Sequence, residues 1–331
     1  QRQILITGYW LHVTGYFITC HFDFFIMAIL IVGSLAYDYV MDFPDSFKNH
    51  IMPEQLHILN VSFAVDKIKK NFGGCAGNIA YNVKLLGNEP IIFSCLGVDA
   101  KDYLSHLNKY KIKNKYISIS KQKNTASAYI ITDKDDNQIS AFCGNIFNAT
   151  INKNINKIKE KVELALISPI NKNIMIKYAI ECCKNNIPFV FDPGQQITEF
   201  NKNELQEMIS KAKFVIGNDY EIKLMEKKTE WNIFDMLNKT EIIITTLGAK
   251  GSIINTQNKT IKINSYLPKK IKDPTGAGDA YRAGFFIAYI EGKDLKTCGK
   301  YASITASYAI EHYGTQNHFF TRKEIEKLIK L

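Results

Sequence analysis

A mainly parallel β-sheet wrapped on both faces by helices, joined by a second, smaller sheet, is the fold that this 331-residue sequence predicts. Three observations carry that α/β assignment. Short apolar runs alternate with longer helical stretches, two strand-like segments flank a polar turn at 133–137, and a glycine-rich turn late in the chain runs straight into a helix. Parallel strands are covered on both faces and read as unbroken apolar runs. Residues 29–32, 91–95, 164–167, 189–191, 214–216 and 242–245 fit that description. Between them, 76–86, 101–108, 173–185, 203–212 and 279–291 have helical spacing and length. Segments 125–132 and 138–143 instead alternate with period two around Asp133-Lys-Asp-Asp-Asn137, which reads as a hairpin. No repeat, proline-rich linker or low-complexity block divides the chain, so residues 27–331 are expected to form a single domain.

The first 26 residues do not match the rest. They hold six Phe and Tyr residues and Trp10, but His12, His21 and Asp23 interrupt any apolar run of spanning length, and no signal-peptide pattern appears. Met27 is followed at once by the buried-strand run 28–32, so 1–26 is expected to be a leader or non-native extension, with a membrane-associating segment as the alternative.

Composition narrows the function classes. The net charge is +10, yet 39 of the 42 basic residues are Lys, scattered through nearly every segment. Lysine is poorly suited to the bidentate contacts that read bases, so a nucleic-acid partner is not expected, nor is a membrane. The positive field would instead attract small anions. Seven cysteines, with no C-x-x-C pair, indicate free thiols in a reducing, cytoplasmic setting. The seven histidines show no metal-ligand spacing.

Chemistry enters at Asp273-Pro-Thr-Gly-Ala-Gly-Asp279, just ahead of the 279–291 helix. Gly276 and Gly278 leave the backbone uncovered, so N–H groups of the first helical turn can face an anion with the helix dipole behind them. Asp279 is a poor ligand for that anion, because like charges repel. It makes sense as a base that takes the proton of an attacking hydroxyl. The plainer alternative is a helix start with an acidic first turn.

Together with Gly73-Gly74-Cys75-Ala76-Gly77-Asn78, that segment resembles the paired signatures of the ribokinase-like (PfkB) carbohydrate kinases. Gly217-Asn218-Asp219-Tyr220-Glu221 resembles the family's Asn-x-x-Glu element, and Thr245-Thr246-Leu247-Gly248-Ala249-Lys250-Gly251 its nucleotide-binding turn. The four stand in the family's order and cover about residues 28–325. The resemblance implies a three-layer α/β/α sandwich whose lid sheet, formed by residues 37–65 and the 125–143 hairpin, covers the substrate. It also implies in-line transfer of the γ-phosphoryl group of Mg-ATP to a primary hydroxyl. No Walker A pattern is present.

The same resemblance assigns roles. Asp279 is the base, with Gly276, Ala277 and Gly278 stabilising the developing charge. Asp38, Gly73, Gly74 and Asn78 hold the acceptor, a carboxylate suiting two adjacent hydroxyls. Asn218 and Glu221 lie near the nucleotide phosphates, with Glu221 reaching Mg²⁺ through water. An N-cap with an acidic first turn explains the same pair equally well. Thr246, Gly248 and Gly251 line the nucleotide. Arg282, three residues after Asp279, reaches a phosphate or forms a surface ion pair. Asp273, Thr275 and Gly314 fall where relatives bind a monovalent cation such as K⁺, although Pro274 replaces the commoner Thr.

For the acceptor, residues 53–63 leading into Phe72 and the glycine turn resemble bacterial adenosine kinases more than ribokinases. Phe63 and Phe142 are candidates to stack on a purine, their alternative being lid core. Adenosine, converted to AMP in purine salvage, is the first choice. A free sugar such as ribose or fructose comes second and a phosphosugar third, the lid segments having no Arg to pair a phosphate. A non-catalytic sugar- or nucleotide-binding regulator on the same scaffold remains a separate reading. An exposed lid edge offers a surface for a homodimer.

Overall fold

The computed structural model describes residues 2–6, 9–13, 28–52, 60–135, 137–148 and 151–330. Met27 and residues 53–59, on which the start site and part of the adenosine-kinase resemblance rest, lie outside the described residues, as do residues 14–26 of the proposed leader. Within that leader, β1 (Arg2–Ile6) and β2 (Tyr9–Val13) pair antiparallel.

The central sheet has eight strands. β3 (Ala28–Val32) runs parallel to β6 (Glu89–Phe93) on one side and β11 (Val162–Ile167) on the other. Beyond β11 come β12 (Phe189–Phe191), β13 (Phe214–Asn218) and β14 (Ile242–Thr246), all parallel. The antiparallel β15 (Ser252–Thr256) and β16 (Thr260–Ile263) close that edge. The lid is a separate four-stranded sheet ordered β10 (Gln138–Cys143), β9 (Ala126–Thr132), β4 (Ala36–Asp42), β5 (Lys67–Gly73). A two-residue pair, β7 (Cys95–Leu96) and β8 (Ser118–Ile119), lies apart from both.

Alternate side chains of β3 explain the layers. Ile29 and Ile31 enter one apolar cluster and Ala28, Leu30 and Val32 the other, all of them buried. The first cluster is completed by α1 (Cys75–Leu85), α2 (Lys101–Lys109), α7 (Ala277–Ile290), α8 (Leu295–Ile310) and α9 (Arg322–Ile329). The second is completed by α3 (Lys172–Lys184), α4 (Lys202–Lys211), α5 (Asp219–Thr229) and α6 (Ile233–Leu237). The result is the expected α/β/α sandwich, and among the described residues no helix is long and apolar enough to cross a membrane.

The structure adds elements the apolar runs do not announce. β15 and β16 interleave polar residues because they form an edge. α8 carries Gly299 and the β-branched Thr297, Ile304 and Thr305 among its alanines, which blurs its helical signal, and its buried face packs against α7. The fourth lid strand lies at Lys67–Gly73, just past the expected 37–65 segment.

Strand order places the site. The chain leaves β3 for β6 on one side and later reaches β11 on the other, so a crevice opens at the C-terminal ends of these strands. Ser34, Ser168, Asp192, Asn218 and Thr246 all fall at that end. Phe214, at the start of β13, belongs to the supporting core, fully buried with its ring centroid 5.2 Å from Phe286 and 4.8 Å from Tyr289. Phe214→Ala should lower unfolding stability by roughly 3–5 kcal/mol, read as a drop in the denaturant midpoint with the native circular dichroism spectrum retained.

Candidate active site

Gly276 is the N-cap of α7, with φ +79°, and a Cβ there would lie 2.9 Å from both Cβ and Cγ2 of Thr315. Left-handed backbone and close approach together admit glycine alone. The turn delivers the first N–H groups of α7 without intrahelical acceptors, at the positive end of its dipole. Of the three expected cradle residues, Ala277 directs its N–H to the Pro274 carbonyl at 3.3 Å. Gly278 and Asp279 follow in the first turn.

Asp279 meets Asn78 across the α1–α7 packing, where Asn78 Nδ2 donates to Asp279 Oδ2 at 2.8 Å. Burial pushes the Asp279 carboxyl up to about 6; the Arg282 guanidinium and the Asn78 amide oppose that rise and Asp192 adds to it. A group that titrates close to neutrality in a crevice has the character of a general base.

Arg282 is neither at a free phosphate position nor in a surface pair. Its Nε and Nη2 grip the two oxygens of Asp192 at 2.5 Å each, and Nη1 donates to the Gly278 carbonyl at 3.0 Å. Both partners are buried, at 8% and 1% exposure. The expectation of a surface side chain fails because Arg282 lies on the face of α7 turned toward the end of β12. It fixes the first turn of α7 rather than extending into solvent.

The residues expected to hold the acceptor lie on the inner face of the lid. A cleft of about 900 Å³ lies between that face and the 271–275 and 313–317 segments, lined by Asp38, Lys69, Asn71, Thr132, Asp273 and Asn317 among others. Asp38 stands opposite Asn71 on β5 and Ala128 on β9, and Ala128 stands opposite Phe142 on β10. Opposed residues share a face, so Asp38 and Phe142 belong to one row, and Phe142 is 56% exposed. Gly73 permits the close seat of Asp38, since a Cβ there would lie 2.0 Å from Asp38 Oδ2. Burial, then the charges of Asp279 and Asp273, push the Asp38 carboxyl up to about 7. Phe63 is placed differently. Its ring packs 5.0 Å from both Phe43 and Phe47 and beside His50, so it is lid core rather than an open stacking surface.

Asn218 and Glu221, expected near the nucleotide phosphates, form a capping box at the start of α5: Glu221 N–H donates to Asn218 Oδ1 and Asn218 N–H to Glu221 Oε2, each at 2.8 Å. Burial raises the Glu221 carboxyl. Asn218 pairs in register with Thr246, and the Gly248–Gly251 turn follows, closed by a 2.8 Å bond from Leu247 N–H to the Gly251 carbonyl. Asp273, Thr275 and Gly314 also converge: Asp273 accepts the Thr275 N–H at 2.9 Å and the Gly314 N–H at 3.0 Å. A second hollow of about 680 Å³, lined by Lys211, Lys213, Thr240 and Asn258, opens at the opposite end of the sheet, away from these groups.

Several partners escape the sequence reading. Asp192 had one available signal, its position at the end of a parallel strand. Thr315 and Gln316, which both reach Asn78 Oδ1, at 2.7 and 3.0 Å, had none.

A glycine-turn helix terminus, a half-buried carboxylate beside it and an oxygen-lined cleft over an α/β/α sandwich define a phosphotransferase acting on an alcohol. Comparison with known proteins gives the family. The model for pfkB family carbohydrate kinases matches residues 35–322, and the chain belongs to that family. It is 35% identical over 305 residues to a nucleoside kinase of Methanocaldococcus jannaschii, covering 91% of this chain and 97% of that one. The nucleoside kinase of Burkholderia thailandensis in complex with inosine superposes with a TM-score of 0.82 at 34% identity, over 91% of this chain and 97% of that one. The same kinase in complex with ADP-inosine gives 0.81 at 36% identity, over 91% and 95%.

Asp38 and Asp279 hold protons in the folded state up to about 7 and about 6, whereas an unfolded aspartate releases its proton near 4. The folded protein therefore binds more protons between these values, and stability falls as pH rises through that window. Asp38→Asn is expected to raise the melting temperature at pH 8, with the gain shrinking toward pH 4. Paired melting curves across that range check it, and a gain that grows on acidification would refute the sign.

Proposed function

We propose that this protein transfers the γ-phosphoryl group of Mg-ATP to the 5′-hydroxyl of a nucleoside, with purine nucleosides, inosine and adenosine included, as acceptors. The observation that carries the reading is Asp279, held by Asn78 at the start of α7 and facing the lid row that contains Asp38 and Phe142. The bound inosine of the Burkholderia relative supports the acceptor class.

In this reading Asp38 binds the two ribose hydroxyls, Phe142 lies against the base, and the 5′-hydroxyl points to Asp279. Asp279 takes the hydroxyl proton as the oxygen attacks the γ-phosphorus and the bond from that phosphorus to the β-phosphate oxygen breaks, leaving ADP. The N–H groups of Gly276 and Gly278 would face the transferring group and stabilise its charge without reorganising, that of Ala277 being engaged by the Pro274 carbonyl. The lid keeps water away, which favours transfer to the nucleoside over hydrolysis.

Among the described residues no three His, Cys, Asp or Glu side chains gather as a metal site. That arrangement fits Mg²⁺, which keeps most of its water and is carried on nucleotide phosphates with few protein ligands. Glu221, whose Oε1 takes no part in the capping box, and Asn218 would hold its waters. Bound Mg²⁺ would neutralise phosphate charge. Asp273, Thr275 and Gly314 offer oxygen ligands to a monovalent cation such as K⁺. The described cysteines are all free thiols, in keeping with a cytoplasmic setting. The exposed strand β10 supplies an edge for a homodimer.

ADP release should require a nucleoside and should exceed that with ribose, fructose or fructose 6-phosphate. Asp279→Asn should lose about 10²- to 10⁴-fold in kcat, and kcat/KM of the wild type should fall below about pH 6 as Asp279 is protonated. Phe142→Ala should raise KM for inosine about 2- to 12-fold while leaving KM for ribose unchanged. Turnover with sugars alone, or Asp279→Asn at the wild-type rate, would overturn the reading.

A further inference from the structure

Behind Asn78 lies a chain of buried hydrogen bonds that runs in one direction. His106 Nε2 is 2.9 Å from Gln316 Oε1. Gln316 Nε2 reaches Asn78 Oδ1 at 3.0 Å and the Tyr103 hydroxyl oxygen at 3.1 Å. The Tyr103 hydroxyl donates to the Gly73 carbonyl at 2.6 Å. Gln316 is 2% exposed, Asn78 5% and Tyr103 fully buried, so none of these groups can exchange its partner for water.

The donors and acceptors fit one arrangement only. Turning the Gln316 amide over would set Oε1 against Asn78 Oδ1 and against a tyrosine oxygen whose proton is already committed to Gly73. Turning Asn78 over would set Oδ1 against the Asp279 carboxylate and its NH₂ against that of Gln316. The two amides therefore lock each other. Gln316 joins α2 to α1 and, through Asn78, to α7. Thr315 also reaches Asn78 Oδ1, but its hydroxyl can donate to the Phe72 carbonyl and accept from a turned amide, so Gln316 is what fixes the Asn78 orientation.

We propose that Gln316 is a positioning residue for the base: by locking the Asn78 amide it keeps an N–H donor on Oδ2 of Asp279, so that the acceptor's proton is taken at Oδ1. This rests on the kinase reading for its catalytic consequence and on geometry alone for its electrostatic one. Asp279 is faced by Arg282 from its own helix, Asp192 from the end of β12, Cys75 from α1, Tyr103 from α2 and Asp38 from the lid. Of these only Tyr103 also bonds to Gln316, and its hydroxyl keeps its donation to the Gly73 carbonyl when that bond is lost; the other four keep their surroundings. With the lock removed, Asn78 can swing away and Asp279 loses a donor that favours its ionised form, which raises the pH at which it titrates.

The decisive experiment follows the Asp279 carboxyl carbon by NMR in the full chain labelled with ¹³C-aspartate, its signal assigned by absence from Asp279→Asn. Wild type is compared with Gln316→Met, Asn78→Ala and the double variant. Gln316→Met should move the midpoint upward by about 0.5–1 pH unit and lower kcat about tenfold with KM within about twofold, while in the Asn78→Ala background it should add less than about twofold. An unmoved midpoint in folded Gln316→Met, or an effect undiminished without Asn78, overturns the proposal. Should the methionine variant not fold, Gln316→Glu preserves volume and the His106 contact. The direct effect of its added charge persists in Asn78→Ala and that of the lost donor does not, so the same cycle decides. Absence of nucleoside turnover in the wild type would instead count against the kinase reading and leave the titration test intact.

Discussion

At the mouth of this sheet several carboxylates crowd into poorly solvated space, and the Arg282–Asp192 pair is what makes that crowding tolerable. Asp279, Asp38, Asp192 and Glu221 are all held back from water, and the charge of Arg282 acts on three of them. Its fork is bidentate and buried, the geometry in which an ion pair is held firmly and in which loss of one partner is costly. Exposed pairs such as Lys69–Asp42 or Lys48–Asp135 contribute far less. Because Arg282 also grips the Gly278 carbonyl, the same contact that balances charge holds the first turn of α7 against the end of β12. Helix terminus, base and sheet are thereby fixed to one another.

That balance is incomplete, and the remainder is useful. Arg282 offsets part of the burial of Asp279, leaving a carboxyl that titrates near neutrality rather than near 4. Asp38 receives no such help and titrates higher still. A cleft lined by under-compensated carboxylates favours groups that donate hydrogen bonds, and a ribose presents such hydroxyls in adjacent pairs. The stability lost in burying these charges is the counterpart of a base poised to accept a proton.

Much of this was legible along the chain because it depends on local patterns. Gly276 and Asp279 are read from a turn whose backbone only glycine can adopt, the central strands from runs such as 28–32, and the lid hairpin from alternation about 133–137. Adjacent residues carry these signals. The rest depends on meetings between distant segments. Asp192 with Arg282, and His106, Tyr103 and Gln316 with Asn78, are separated by 90 to 238 positions where they bond across elements, and nothing beside any of them marks the partnership. Phe63 shows the reverse case: an aromatic in the lid looks available for stacking until Phe43 and Phe47 are found against it. Arg282 stands three residues after Asp279, and that spacing says nothing of Asp192 waiting at the end of β12.

A crystal structure of Asp279→Asn with inosine and a non-hydrolysable ATP analogue bound together would test this directly. The ribose 2′- and 3′-hydroxyls should lie within hydrogen-bond distance of Asp38, the base beside Phe142, and the 5′-oxygen between residue 279 and the terminal phosphate at the start of α7. A nucleoside seated away from Asp38, or a 5′-oxygen out of reach of residue 279, would contradict it.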